Sequence, residues 1–163
     1  MSGSNQFDTS KLSALFDVEH RIRLAESPEA LRYIAVNESR PVFDYHQAAI
    51  VEDAGVTGWQ VTALSNVPSV DRNSVYVQWL EHVVAQRPPT GREAYVLDDV
   101  GLDDWARGTW LEISPRHVLM VPLDMTERPE AWLWLARETP WRAADINLAA
   151  HLGEVQGHAL GSF

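Results

Sequence analysis

Tryptophan is the residue type in this sequence best suited to binding a small molecule. The chain has seven tryptophans among 163 residues, and Trp132 and Trp134 alternate with Leu133 and Leu135 in the segment "AWLWLAR" at 131–137. Alternate side chains of a β-strand point to opposite faces of the sheet, so both faces are predicted to be apolar and covered here. An apolar pocket with a few polar groups is what a small-molecule site needs. The candidate ligand-binding residues are Tyr95, Trp105, Trp110, Arg116, His117, Trp132 and Trp134.

The same aromatic residues have a structural interpretation. A tryptophan buries a large apolar area and its indole N–H readily finds a backbone acceptor, so for any single ring a place in the hydrophobic core is the simpler interpretation. The sequence alone leaves both interpretations open.

Catalytic motifs are absent from the sequence. It contains no Gly-x-Ser-x-Gly elbow, no Ser-x-x-Lys pair and no glycine-rich phosphate loop. We therefore expect a non-enzymatic protein with no catalytic residues. A small hydrolase or a metal-dependent enzyme remains a minor alternative, because catalytic groups converge in space and a sequence does not show that convergence.

Two polar clusters raise the question of a metal site. His151, Glu154 and His158 share one face of a predicted helix, but three ligands on a single helix do not easily converge on one ion. The acidic segment "LDDVGLDD" at 97–104 lacks the ligand pattern of a calcium loop. We expect solvated polar surfaces at both places, with no metal and no cofactor.

The composition limits the possible partners. The formal net charge is -10, so the domain repels nucleic acid and anionic lipid headgroups. There is no cysteine, which excludes disulfides and thiolate chemistry and fits a cytoplasmic location. No apolar run approaches the roughly 18 residues of a membrane span, so no direct membrane contact is expected. We predict a disordered tail at 1–10 and a single domain at 11–163.

Two helices are predicted at the N-terminus. Between Lys11 and Ala25, apolar residues recur every three or four positions, the period of a helix with one buried face. Ser27 then caps a second helix with Pro28 at its first position, and this helical region ends near Pro41.

The middle of the chain predicts a hairpin and a connecting helix. Apolar runs at 46–52 and 59–65 flank "DAGVTG", whose glycines permit a tight turn between antiparallel strands. A helix follows, with Asp71 or Asn73 as its cap and Pro88 after its end.

Three further strands are predicted, at 93–97, 117–123 and 131–137, with a loop containing Pro129 between the last two. The segment "GLDDWARGTW" at 101–110 is predicted to be a loop with at most one helical turn. Together the elements indicate an α+β fold: a central antiparallel sheet of five to six strands, the N- and C-terminal helices on one face, and the connecting helix and loops on the other.

The last helix, predicted from Trp141 to Leu160, carries two apolar stripes. One of them consists mainly of small residues, which would let another helix approach closely, either the N-terminal helix or the same helix of a second copy. The predicted dimer interface consists of Leu148, Leu152, Gly153, Val155 and Gly157.

The order of elements resembles that of a GAF domain over nearly the whole chain, from about Leu12 to Leu160. The segment "VPL" at 121–123, the strand "AWLWLAR" and the helix after it resemble the C-terminal part of that family. The resemblance implies a pocket on the sheet face that meets the connecting helix and the long loop. It does not imply a bilin, because cysteine is absent, nor a cyclic nucleotide, because the asparagine-lysine-phenylalanine-aspartate-glutamate set of those members is absent.

A narrower resemblance concerns "AVNESRPVFDYHQAAI", "NSVYVQWLEHV", "WLEISPRHVLMVPL", "ARETPW" and "GHAL". These segments are similar to the GAF-like region that precedes the adaptor segment of some bacterial membrane-fusion proteins of the haemolysin-secretion type. In those export and efflux proteins the region lies on the cytoplasmic side of a single membrane anchor. The resemblance implies that this chain is the cytoplasmic part of such an adaptor, tethered to the inner membrane by an anchor that follows it.

The leading hypothesis is therefore a non-enzymatic sensory or regulatory domain that binds a small molecule, forms a homodimer, or does both. The alternative is a structural module for dimerisation or protein docking, with no ligand. The two hypotheses differ in one observable, since a sensor has room for a ligand beside the sheet and a structural module fills that space with its own side chains.

Overall fold

The computed structural model describes residues 9–123 and 130–163. The helices are α1 (Thr9–Leu24), α2 (Pro28–Asn37), α3 (Arg40–Phe43), α4 (Val75–Gln86), α5 (Asp104–Ile113) and α6 (Ala143–Gly161), and the strands are β1 (Gln47–Asp53), β2 (Trp59–Leu64), β3 (Tyr95–Leu97), β4 (His117–Leu123) and β5 (Ala131–Arg137). Most of the predicted tail and the loop with Pro129 lie outside the described residues, whereas Thr9 and Ser10 belong to the first turn of α1. Within the described ranges, no helix is both long and apolar enough to cross a membrane.

The five strands form one antiparallel sheet in the order β2-β1-β5-β4-β3. The predicted hairpins are confirmed: β1 pairs with β2 around a turn in which Gly55 and Gly58 adopt positive φ angles, and β4 pairs with β5 from His117↔Arg137 to Leu123↔Ala131. This sheet and its flanking helices confirm the predicted α+β class, with the strand number at the lower end of the predicted five to six.

Strand β5 lies between β1 and β4 and is buried on both faces of the sheet. Leu133 and Leu135 belong to a core formed with α1, α2 and α6, whereas Trp132 and Trp134 belong to a second core formed with α4 and α5. The predicted alternation is therefore confirmed, and the sheet separates two cores that share this strand.

Helix caps explain where the connecting helices begin. The N-cap of α4 is Ser74, whose hydroxyl accepts from the Val77 N–H, so the predicted cap at Asp71 or Asn73 is wrong by one to three residues. Asp71 instead accepts from the Asn73 N–H in the preceding turn. The predicted loop at 101–110 is also wrong from Asp104 onward, because Asp103 caps the ten-residue helix α5 through the Ala106 N–H.

One buried arginine holds the end of β5 to the start of α6. The Arg137 guanidinium donates to the carbonyl oxygens of Phe43, Thr139 and Pro140, and to Asp145 Oδ2 at 2.8 Å. It also lies 3.8 Å from the ring centroid of Trp141. Because Phe43 ends α3 and Asp145 is in the first turn of α6, this one side chain fixes three parts of the terminal-helix layer.

The Asp145 carboxyl is predicted to make part of this layer sensitive to acid. Burial acts to raise the pKa of Asp145, but the hydrogen bonds and positive charges of Arg137 and Lys11 outweigh burial and lower it. A carboxyl with a pKa lowered by folding contributes stability above its unfolded-state pKa of about 3.9, and this contribution disappears as pH falls through the folded-state pKa. The free-energy difference between the wild type and Asp145→Asn should therefore shrink between pH 6 and pH 3 in urea-unfolding experiments.

The exposed Asp104, which pairs with Arg107, offers a matched control for this experiment. Asp104→Asn should have a small effect throughout, because exposed ion pairs contribute little. If the wild type exceeds Asp145→Asn in free energy of unfolding by the same amount at every pH, ionisation of the Asp145 carboxyl is not the origin of the acid sensitivity.

Candidate functional site

The sheet face that was predicted to hold a pocket is filled by aromatic side chains. Trp79 of α4 lies at the centre, with ring centroids 5.7 Å from Trp134, 5.8 Å from Trp110 and 5.6 Å from Tyr76. Tyr76 and Trp79 were not among the predicted ligand-binding residues. Their spacing of three on a helix that faces the Trp134 side of the sheet was the available signal.

The indole N–H groups of these tryptophans also have acceptors within the chain. Trp79 Nε1 donates to the Ala106 carbonyl at 2.9 Å, Trp110 Nε1 to the Pro115 carbonyl at 3.0 Å, and Trp134 Nε1 to the Tyr76 hydroxyl at 3.3 Å. Burial raises the pKa of Tyr76 to about 12, so its hydroxyl stays neutral and can accept this bond. Trp110 and Trp134 therefore have the structural role that was the simpler interpretation of each ring.

Two other predicted residues, Tyr95 and Trp132, meet at the edge of this core. Their ring centroids lie 5.8 Å apart with an interplanar angle of 70°, an edge-to-face arrangement. Trp132 is buried, whereas Tyr95 is half-buried and lines an open cleft of about 680 Å³. The cleft is bounded by the end of α4, including Gln86 and Arg87, and by the loop at 88–94 that leads into β3.

The remaining predicted ligand residues lie elsewhere. Trp105 is half-exposed on the outer side of α5 and packs against His82 of α4. Arg116 lines a separate cleft of about 260 Å³ beside the end of α5. The carbonyl of His117 accepts from Trp141 Nε1, which belongs to the core on the other face. The structure thus divides the seven predicted residues among the aromatic core, the Tyr95 cleft and the protein surface.

The charged groups near these sites form caps and ion pairs. His82 Nε2 lies 2.8 Å from Asp103 Oδ2, and the pKa of Asp103 is lowered mainly by the Ala106 N–H that it caps and then by His82. His151 contacts Glu19 of α1 at 3.1 Å. Among the described residues, no group of three His, Asp or Glu side chains is placed to hold a metal ion.

Part of the predicted dimer interface lies in the interior of this chain. Leu152, Gly153 and Gly157 are buried within this chain, and a Cβ atom on Gly153 would lie 2.6 Å from the Pro122 carbonyl oxygen of β4. At Gly153 the close approach that a small residue predicts is therefore made to a strand of the same chain. Leu148 and Val155 are partly exposed and pack against the core that contains the buried residues of α1.

Comparisons with known proteins bear on the fold. No protein-family model and no curated protein matches the chain. The GAF domain of a protein described as a sensor histidine kinase from Pseudomonas syringae pv. tomato is 18% identical, with a TM-score of 0.66 over 98% of this chain and 90% of that chain. The GAF domain from an Acinetobacter phosphoenolpyruvate-protein phosphotransferase is 16% identical, with a TM-score of 0.68 over 96% and 95%.

A third similar structure is the chromophore-binding domain of a bacteriophytochrome from R. palustris, which is 11% identical with a TM-score of 0.67. That match covers 96% of this chain and 63% of the other. All three comparisons extend over the sheet and both helical layers. The chain therefore has the fold of a GAF domain.

Proposed function

We propose that the chain is a non-enzymatic sensory or regulatory domain whose input lies on the α4–α5 side of the sheet and whose output is the layer of α1 and α6. The observation that carries this proposal is strand β5, which contributes Trp132 and Trp134 to one core and Leu133 and Leu135 to the other. Close-packed interiors transmit displacements, so a shift of the tryptophans moves the leucines that support the terminal helices. Solved structures with this fold that come from a sensor kinase and a bacteriophytochrome support a regulatory role.

A second copy of the chain is the partner proposed for the output layer. Phe16 of α1 is 61% exposed, and it lies one helical turn before Glu19, which contacts His151 of α6. Helix periodicity therefore places Phe16 near the α6 side of α1, and Leu148 and Val155 are partly exposed apolar residues of α6. We propose that these three residues form one apolar strip along the two helices, which we call the α1–α6 strip.

A charge placed on the α1–α6 strip is expected to prevent dimerisation. Phe16→Glu puts a carboxylate at the centre of an apolar contact, where the partner offers no compensating hydrogen bond. Sedimentation equilibrium should show a dimer for the wild type and a monomer for Phe16→Glu. Leu111→Glu is the matched control, since Leu111 is 76% exposed on α5, on the other side of the sheet, and this variant should remain dimeric. A wild type that sediments as a monomer would contradict the proposed homodimer.

A structural module without a ligand is the second candidate. It is favoured by the interlocking rings of Trp79, Trp110 and Trp134, which occupy the face where the predicted pocket would lie. Native mass spectrometry separates the two candidates. A dimer that carries excess mass supports a sensor with a retained small molecule, whereas a dimer of bare chain mass supports the structural module.

The proposed cellular setting rests on the sequence resemblance described above. In this proposal the domain is the cytoplasmic part of an export or efflux adaptor that is tethered to the inner membrane. Fractionation of the source cells, with detection by an antibody against this domain, tests the proposal. A membrane-bound polypeptide well above the mass of this chain supports it, and a soluble polypeptide of this mass alone contradicts it.

A further inference from the structure

Trp132 differs from the other buried tryptophans in its polar group. The indole N–H groups of Trp79, Trp110, Trp134 and Trp141 all have acceptors. Trp132 is 1% exposed, and among the residues that the structure describes no acceptor lies within hydrogen-bonding distance of its Nε1. Buried donors are almost always paired in proteins, so a buried indole N–H without an acceptor among the described residues calls for an explanation.

The ring of Tyr95 contacts Trp132 and also lines the 680 Å³ cleft, whereas Trp132 is not among the lining residues. Tyr95 is at the start of β3, a three-residue strand at the edge of the sheet, and the loop before it contains Gly91 at a φ of 79°. Side chains at a short edge strand beside an irregular loop are less constrained than those within a central strand. If the Tyr95 ring rotates outward, a planar group from the cleft can take its place against Trp132.

The chemistry around the cleft selects the type of ligand. The indole N–H is a donor only, so the ligand must supply an acceptor oxygen or nitrogen. The edge-to-face contact that Tyr95 makes with Trp132 favours a flat aromatic body in the place of the Tyr95 ring. Arg87, Arg92 and Glu93 line the cleft. Arg87 already donates to Asp98 and to the Val100 carbonyl, and Arg92 also has an interaction within the chain, so a ligand carboxylate would share these guanidinium groups with their present partners.

We propose that the Tyr95 cleft binds a small aromatic carboxylate, which displaces the Tyr95 ring and accepts a hydrogen bond from Trp132 Nε1. This inference rests on the proposed sensory input and names its ligand class. The ligand would enter beside the aromatic core and not within it, which reconciles a binding role with the filled space around Trp79. Displacement of Tyr95 would change the packing of Trp132. Its neighbour on β5 is Leu133, which belongs to the core formed with the terminal helices.

The test is an NMR titration of the seven tryptophan indole N–H signals with benzoate, 4-hydroxybenzoate and indole-3-carboxylate as probes. The Trp132 signal is assigned from its loss in Trp132→Phe. Binding should shift this signal downfield in a saturable way while the Trp79 signal stays in place. Tyr95→Ala should bind the probes more tightly because no ring has to be displaced. Trp132→Phe should bind about tenfold more weakly because one hydrogen bond is lost.

Controls make each outcome of the titration decisive. Trp105→Phe should bind as the wild type does, because Trp105 is on the outer side of α5. Benzylamine, which has the ring but carries an ammonium group, should leave the Trp132 signal unchanged. The proposal is overturned if no carboxylate shifts the Trp132 signal in either the wild type or Tyr95→Ala, or if the carboxylates shift only other indole signals. Neither result affects the dimer measured by sedimentation, so this ligand proposal can fail independently of the proposed output.

Discussion

Replacing Arg137 by methionine is expected to lower the free energy of unfolding by about 3–5 kcal/mol, the range for breaking a buried charge pair from one side. The substitution leaves the carbonyl oxygens of Phe43 and Pro140 without this donor and leaves Asp145 with only the longer contact from Lys11, at 3.4 Å. Methionine fills much of the same volume, so the loss comes from unpaired polar groups and not from a cavity. Urea unfolding followed by circular dichroism measures this loss.

The exposed Arg107 provides the control for this prediction. It pairs with Asp104 three residues earlier on α5, and both side chains are exposed, so Arg107→Met should change stability by less than about 0.5 kcal/mol. Arg137→Lys should recover only part of the loss, because an ammonium group cannot reproduce the planar set of donors that serves several carbonyls at once. A loss below about 1 kcal/mol for Arg137→Met would show that Arg137 does not hold α3 and α6 to the sheet.

The elements that the sequence predicted most accurately are those with the most regular burial. Strands β4 and β5 agree with their predicted bounds because nearly every residue in them is apolar and buried. Helix α5 was missed because only Ala106 and Trp110 are buried in its ten residues, and Gly108 lies between them. The cap at Asp103 together with this spacing of four was the signal that would have identified it.

The candidate site could be predicted only in part, because its geometry depends on strand register. The sequence placed Trp132 and Trp134 on one face but did not show that β3 pairs with β4 so that Tyr95 lies opposite Met120. This register puts Tyr95 in line with Trp134, and the Tyr95 ring reaches Trp132 two residues away on β5. It leaves His117 at the start of β4, three residues from Met120. The sequence also did not show which helix would fill the sheet face, and Trp79 proved to be the ring that does so.

Replacing Gly153 by alanine is expected to destabilise the protein by about 1–3 kcal/mol, although alanine is the better helix former. The added Cβ would lie 2.6 Å from the Pro122 carbonyl oxygen and 2.7 Å from Val121 Cγ1, so α6 must move away from β4. The oxygen belongs to the backbone of β4 at Pro122, which pairs with Trp132 of β5, so it cannot yield as a flexible side chain does. The measurement is urea unfolding combined with hydrogen exchange of the α6 amides.

Gly108→Ala in α5 is the matched control, because a Cβ there meets no atom within 4 Å. It should stabilise the protein by up to about 1 kcal/mol through helix propensity alone. The changes in the free energy of unfolding should have opposite signs for Gly153→Ala and Gly108→Ala, which separates the effect of packing from that of helix propensity. Equal changes would contradict the close approach of α6 to β4. Gly153 faces the sheet and not a second copy. Gly153→Ala could therefore change dimerisation only indirectly, by displacing α6. The α1–α6 strip, which the substitution leaves intact, is therefore the place where a direct test of the dimer belongs.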